Sequence, residues 1–293
     1  MNNLAVLNEP FFGNVAELHQ NQYSQLITHY DSKYKISWAY MNASPRPCFT
    51  PTLIKEFHDY AHKIKMDMID SEGKKYDYLV IASNVEGIFN LGGDLTLFRS
   101  AIKNGDRQGL LRYATQCIDM LYQNIIHLDS DLTTISLVQG DALGGGFETA
   151  LSSNLLIAER GTKMGFPEAL FNLFPGMGAY PLLSRKVGPS LAEKIMLSGQ
   201  LYSAEELFDM GIVDILAEKG DGDYAVYKYI KSARRSQNSY NAMRKVKDRY
   251  NLIGYQELVD VINIWVDTAL NLTDKDLRMM ERLVSHQNFK VVK

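Results

Sequence analysis

Apolar and polar positions along the chain switch repeatedly between the pattern of a strand and that of a helix. Residues 34–40 (Tyr-Lys-Ile-Ser-Trp-Ala-Tyr) alternate as a half-buried strand does. Pro45 and Pro47 then force a loop. Thr50 followed by Pro51 has the signature of an N-cap and first helical position, which predicts a helix to about Met66. Apolar runs predict buried strands at 77–83, 133–139 and 154–158 and a short one at 212–215, with helices at 95–103, 107–127 and 146–153 between them. Such alternation argues for an α/β domain. Residues 188–199 and 204–211 read as two scaffold helices stopped by glycine. Farther on, 258–270 is a strongly apolar helix and 273–286 a second one opening at a cap. The chain thus divides into an N-terminal extension of residues 1–33, a core of 34–225 and a C-terminal helical region of 226–293. Within the extension only Phe11-Phe12-Gly13 and a helix-like 15–19 stand out.

Composition narrows the function classes. With 293 residues and 46% hydrophobic content the chain can bury a sizeable core. A net charge of −3 gives no electrostatic case for nucleic acid. No run approaches the roughly 18 apolar residues that span a bilayer. The opening Met1-Asn2-Asn3-Leu4-Ala5-Val6 lacks the basic-then-apolar order of a secretion signal, so a cytoplasmic location is expected. Cys48 and Cys117 lie far apart without metal-ligand spacing and read as free core thiols. His58 and His62 have the i, i+4 spacing of a helical metal pair, but neither a neighbouring glutamate nor a third ligand accompanies them; they read as surface histidines, and no metal is expected. The glycine runs lack GxGxxG spacing, and no nicotinamide or flavin motif is present. A basic stretch, Lys231, Arg234, Arg235, Arg244, Lys245, Lys247 and Arg249, reads either as a solvated face or as a docking patch for an acidic partner.

Chemistry concentrates at two strand–glycine–helix junctions. The stretch Gly140-Asp141-Ala142-Leu143-Gly144-Gly145-Gly146-Phe147-Glu148 follows the apolar run at 133–138. Free N–H groups at such a turn favour an oxygen that carries or develops negative charge, and Glu148 lies about one helical turn further on. A similar junction, Gly87-Ile88-Phe89-Asn90-Leu91-Gly92-Gly93-Asp94-Leu95, precedes it, and Phe166-Pro167-Glu168-Ala169-Leu170 follows it with a second carboxylate among apolar neighbours. Read singly, Glu148 is a helix-stabilising acid and Glu168 a loop acid.

In this order the three stretches resemble the crotonase (enoyl-CoA hydratase/isomerase) superfamily over about residues 34–220. The resemblance implies an α/β spiral of stacked ββα repeats with a C-terminal helical region. It also implies an oxyanion hole from the N–H groups of Gly93 and Gly145, with Gly92, Leu143 and Gly144 beside the substrate, and two catalytic glutamates, Glu148 and Glu168. Within the superfamily the phrases around Gly93, Gly145 and Glu168, with the long N-terminal segment, look most like the diffusible signal factor synthases. That closer likeness implies a dehydratase and thioesterase that takes 3-hydroxyacyl chains from acyl carrier protein, releases a cis-2-unsaturated fatty acid signal for quorum sensing, and needs no cofactor. Trp265 is then a candidate pocket wall, acyl-CoA a second carrier, a homo-oligomer (trimer or hexamer) the expected assembly, and a sensor histidine kinase a further partner. A housekeeping enoyl-CoA hydratase/isomerase and a regulatory acyl-binding protein are the alternatives. Chain length, double-bond geometry and the division of labour between the glutamates are left open.

Overall fold

The structure, a computed structural model, describes residues 23–291, with side chains to Leu283; the Phe11-Phe12-Gly13 and 15–19 segments lie outside the described residues. The first two strands, β1 (Leu26–Asp31) and β2 (Ile36–Met41), pair antiparallel, so a strand of the main sheet starts inside the segment expected to be an extension. Helix α1 (Pro51–Asp70) begins where Thr50 and Pro51 predict, the Thr50 hydroxyl accepting from the Leu53 N–H, and it runs one turn past Met66.

Three repeats then wind in succession. Strand β3 (Tyr78–Ser83) leads to β4 (Ile88–Asn90), followed by helices α2 (Leu95–Lys103) and α3 (Arg107–Ile125). Next come β5 (Thr133–Val138), β6 (Asp141–Leu143) and α4 (Gly145–Leu151), then β7 (Leu155–Glu159) and β8 (Lys163–Gly165). The first strand of each repeat joins one sheet and the second joins another, which makes the chain a spiral. Helices α5 (Ala179–Val187) and α6 (Pro189–Ser198), strand β9 (Leu201–Ser203), helix α7 (Ala204–Asp209) and strand β10 (Ile215–Ala217) complete the core. The larger sheet runs β1-β2-β3-β5-β7-β10, parallel from β2 onward, and the smaller runs β4-β6-β8-β9. The strand expected at 212–215 forms three residues later, because the Ile212 and Val213 N–H groups are spent on Leu207 O at the end of α7.

The larger sheet is covered on both faces, which is why β3 and β5 read as continuous apolar runs instead of alternating. One face of Val80, Ile135, Leu137 and Ile157 packs against Val226 and Ile230 of α8 (Gly222–Arg235). The expected boundary at 225/226 therefore falls inside a helix that belongs to the core. The C-terminal helices α9 (Gln237–Tyr250), α10 (Tyr255–Leu270) and α11 (Asp274–Val291) follow. Helix α10 packs on α3, with Arg107 paired to Asp267 at 2.8 Å, and α11 packs on α2, where Arg99 pairs with Glu281. Thr273 and Asp276 cap α11 reciprocally: the Thr273 N–H donates to Asp276 Oδ2 at 2.8 Å, and the Asp276 N–H to Thr273 Oγ1 at 3.4 Å. No helix among the described residues is long and apolar enough to cross a membrane.

Candidate active site

The first glycine junction is held from both sides. Asn90, buried at the end of β4, accepts the Gly92 N–H at 2.8 Å, and the Phe49 N–H donates to Gly92 O at 2.8 Å. Gly92 has φ +88°, and a Cβ there would meet Leu143 O at 2.8 Å, so only glycine fits. Asp94 caps α2 by accepting from the Thr96 N–H at 3.0 Å and is itself fixed by Arg46 at 3.0 Å. The buried Tyr113 hydroxyl accepts the Asp94 N–H at 3.2 Å and donates to Phe49 O.

The second junction lies directly against the first. Gly144 leaves β6 with φ +51°, its N–H donating to Gly165 O at 2.9 Å. Gly145 opens α4, so its N–H has no acceptor within that helix. A Cβ on Gly145 would lie 3.5 Å from Gly92 Cα and 3.6 Å from Gly93 N, which shows how closely the two glycine backbones approach.

Both glutamates reach this place. Glu148 is 1% exposed, and its Oε1 accepts the N–H groups of Met177 at 2.8 Å and Ala179 at 3.0 Å. Burial pushes its carboxyl up to about 7, with those two N–H groups restraining the rise. Glu168 sits in the Pro167–Phe171 3-10 turn over Gly144, where any Cβ would run into its Oε1. Part of the residue is accessible, yet its Oε2 is shut off from solvent and accepts no hydrogen bond among the described residues. Burial, and then the charge of Glu148, push it up to about 8. The two carboxyls are thus both held above the usual carboxylate range and titrate as a coupled pair.

A cavity of about 220 Å³ unites these groups. Gly92, Gly93, Leu143, Gly144, Gly145, Glu148, Glu168 and Trp265, all singled out in the sequence, line it. Trp265 is 2% exposed, packs edge-on against Phe98 at 5.0 Å, and leaves no room for a side chain at Gly176. Sequence reasoning missed the α3 wall of Tyr113, Cys117 and Leu121, whose i, i+4, i+8 spacing was visible but is also the pattern of ordinary core. Cys117 is a free, buried thiol pushed up to about 12 by burial, so it sits there as an apolar group. The backbone donors at 177 and 179 carry no side-chain signal at all.

Other candidates fall elsewhere. Among the described residues no group of three or more His, Cys, Asp or Glu could hold a metal, and His58 Nε2 is 3.1 Å from Gln116 O. Part of the basic stretch is held by partners in the fold, while Lys231, Arg235 and Arg249 are exposed. Arg244, with 9% of its side chain exposed, pairs with Asp131, and Lys245 joins the same carboxylate at 3.1 Å. Arg234 pairs with Asp77 at 3.3 Å, and Lys247 donates to Asn154 O at 2.9 Å. These groups pin α8 and α9 beside Tyr78, Thr133 and Leu155, at the N-terminal ends of β3, β5 and β7. The glycines and Glu168 instead follow the C-terminal ends of β4, β6 and β8.

Comparison with known proteins shows a family and a fold. The family model described as enoyl-CoA hydratase/isomerase matches residues 42–281. Mouse (Mus musculus) mitochondrial methylglutaconyl-CoA hydratase is 31% identical over 170 residues, 58% of this chain and 52% of that protein. The chain spans about half the length of such curated relatives. Human mitochondrial delta3-delta2-enoyl-CoA isomerase superposes with a TM-score of 0.75 at 14% identity, covering 91% of this chain and 99% of that one. Pseudomonas aeruginosa DspI superposes with a TM-score of 0.66 at 21% identity, covering 81% and 92%. At those identities the two structures show a shared fold.

Proposed function

The chain belongs to the enoyl-CoA hydratase/isomerase family, and we propose that it dehydrates a 3-hydroxyacyl group carried on acyl carrier protein and then hydrolyses the thioester, releasing a cis-2-unsaturated fatty acid that serves as a diffusible signal. The observation that carries this reading is the convergence of Glu148 and Glu168, both pushed above the usual carboxylate range by burial, on one apolar cavity that Gly93 and Gly145 also line.

The thioester oxygen sits between the N–H groups of Gly93 and Gly145. Fixed dipoles there stabilise enolate charge, an effect worth roughly 2.7–4 kcal/mol per donor in comparable holes. The α carbon becomes acidic as a result. One carboxylate takes the α proton, the partner carboxylic acid protonates the departing β hydroxyl, and water and an enoyl thioester result. The pair still holds one proton afterwards. A second water, deprotonated by the carboxylate, then adds to the carbonyl; the tetrahedral oxyanion occupies the same hole, and the carrier thiol leaves with that proton. Gly92, Leu143 and Gly144 shape the floor under the reacting carbons, and Trp265 closes the wall beside them.

Hydration of an enoyl-CoA is the second reading, favoured by the 31% identity to a hydratase. Following 2-enoyl absorbance and free thiol release in parallel, for the wild type and for Glu148→Gln and Glu168→Gln, tests the proposal. Both signals are expected from the wild type and neither at a normal rate from the variants. Enoyl formation without thiol release would leave only the hydratase.

A further inference from the structure

Next to the main cavity lies a second, smaller chamber of about 30 Å³, partly open and lined from α1, α3, α4, β2 and β3. The two share three lining residues, Met120, Leu121 and Thr149, which form the partition between them. Both spaces follow the same two helices. Along α3 the main cavity is lined by Tyr113, Cys117 and Leu121, and the chamber by Leu121, Gln123 and Asn124; along α4 the sequence is Gly145, Glu148, Thr149 and then Ser152. A rise of about 1.5 Å per residue puts Thr149 about 6 Å beyond Gly145, and Ser152 about one further turn beyond Thr149. The chamber thus continues the path that leads away from the reacting end of the cavity.

Its lining changes along that path. Ala61, Ile64, Leu79 and Ile81 form apolar sides. One turn past the partition the residues turn polar: Asn124 donates its amide N–H groups to Ser152 at 2.8 Å and Ser153 at 3.0 Å, while Asn124 Oδ1 and Gln123 Oε1 are buried acceptors without a partner among the described residues. An apolar chain end gains by entering between the aliphatic sides and loses on reaching acceptors that it cannot satisfy.

We infer that this smaller chamber receives the far end of the acyl chain, with Met120, Leu121 and Thr149 as the passage and the Gln123–Asn124 amides as the stop that sets the upper chain length. The inference rests on the acyl-thioester reading above for its ligand class, but the chamber can be tested by binding alone.

The experiment measures calorimetric affinities of the full-length protein for octanoic, dodecanoic and tetradecanoic acids. Ala61→Leu fills the chamber from its α1 side without touching the main cavity; it is expected to leave octanoic acid unchanged and to weaken tetradecanoic acid about tenfold, the loss from leaving about two methylenes in water. Met120→Ala widens the passage and is expected to move the optimum toward the longer acid, which keeps the test open should Ala61→Leu fold poorly. A length profile unmoved by both variants overturns the chamber, whatever the enzyme turns over. A profile that shifts as expected in a protein inactive on every 3-hydroxyacyl thioester supports the chamber and overturns the proposed reaction instead.

Discussion

Glu148 and Glu168 line one cavity but are anchored unequally: Glu148 Oε1 accepts two backbone N–H groups, whereas Glu168 Oε2 accepts none among the described residues. Burial disfavours the charged form of both, and the charge of Glu148 further disfavours ionisation of Glu168. An acid and a base are thereby available together near neutrality.

The activity should accordingly follow a narrow bell in pH. Below about 7 both carboxyls are protonated and no base remains; above about 8 both are ionised and no acid remains. The rate constant kcat/KM is expected to peak between those values, and Glu168→Gln should lose the alkaline limb together with about 10²–10⁴-fold in rate. A flat profile from pH 6 to about 9 would contradict the acid–base pair.

The same shifts predict a stability trend of definite sign. Both carboxyls titrate above their ordinary range in the folded protein, so the stabilising linkage is complete below about pH 4.5 and is lost as pH rises through 7 to 8. Glu168→Gln cannot ionise and should gain Tm relative to the wild type between about pH 5 and 8, the difference levelling off above that. Thermal melts of the two proteins across this range check it; a gap that narrows with rising pH would run against burial as the cause.

Gly144→Ala should act through Glu168. The new methyl would displace the Glu168 carboxyl, and the φ of +51° strains any side chain. Activity is expected to fall at least about a hundredfold, and combining the change with Glu168→Gln should cost little more than either alone. Additive losses in the double-mutant cycle would show that the two do not share a function.

Arg244 and Lys245 should separate cleanly on charge reversal. Arg244→Glu sets a carboxylate beside Asp131 and Asp248, with little of the side chain exposed, and should lower Tm by several degrees. Lys245→Glu changes an exposed partner of Asp131 and should cost within about 1 kcal/mol. A selective loss of carrier-protein turnover in Lys245→Glu would point to this helix as the docking site, and an unchanged ratio of carrier-protein to CoA turnover would point away from it.

How much of this was legible beforehand follows from what leaves a mark in side-chain order. Thr50-Pro51, the apolar strands and the two glycine junctions announced themselves, and the carboxylates next to those junctions converge in the fold. Strands β4, β6, β8 and β9 are three residues each, too short to show a period, and the first two lay hidden inside runs read as turns. Strand β1, Leu-Ile-Thr-His-Tyr-Asp, mixes polar and apolar positions because it edges the sheet, and so it passed for extension. The α3 wall looked like core because a cavity and a core draw on the same apolar stripe. The pairing of Arg234 with Asp77 and of Arg244 with Asp131 left no mark because those partners are distant in sequence.

The central claim is tested most directly by mass spectrometry of the products formed from 3-hydroxydodecanoyl chains, presented once on acyl carrier protein and once on CoA. Free cis-2-dodecenoic acid, formed mainly from the carrier-protein substrate, is the predicted result. Reversible formation of trans-2-enoyl-CoA with no free acid from either carrier would contradict it.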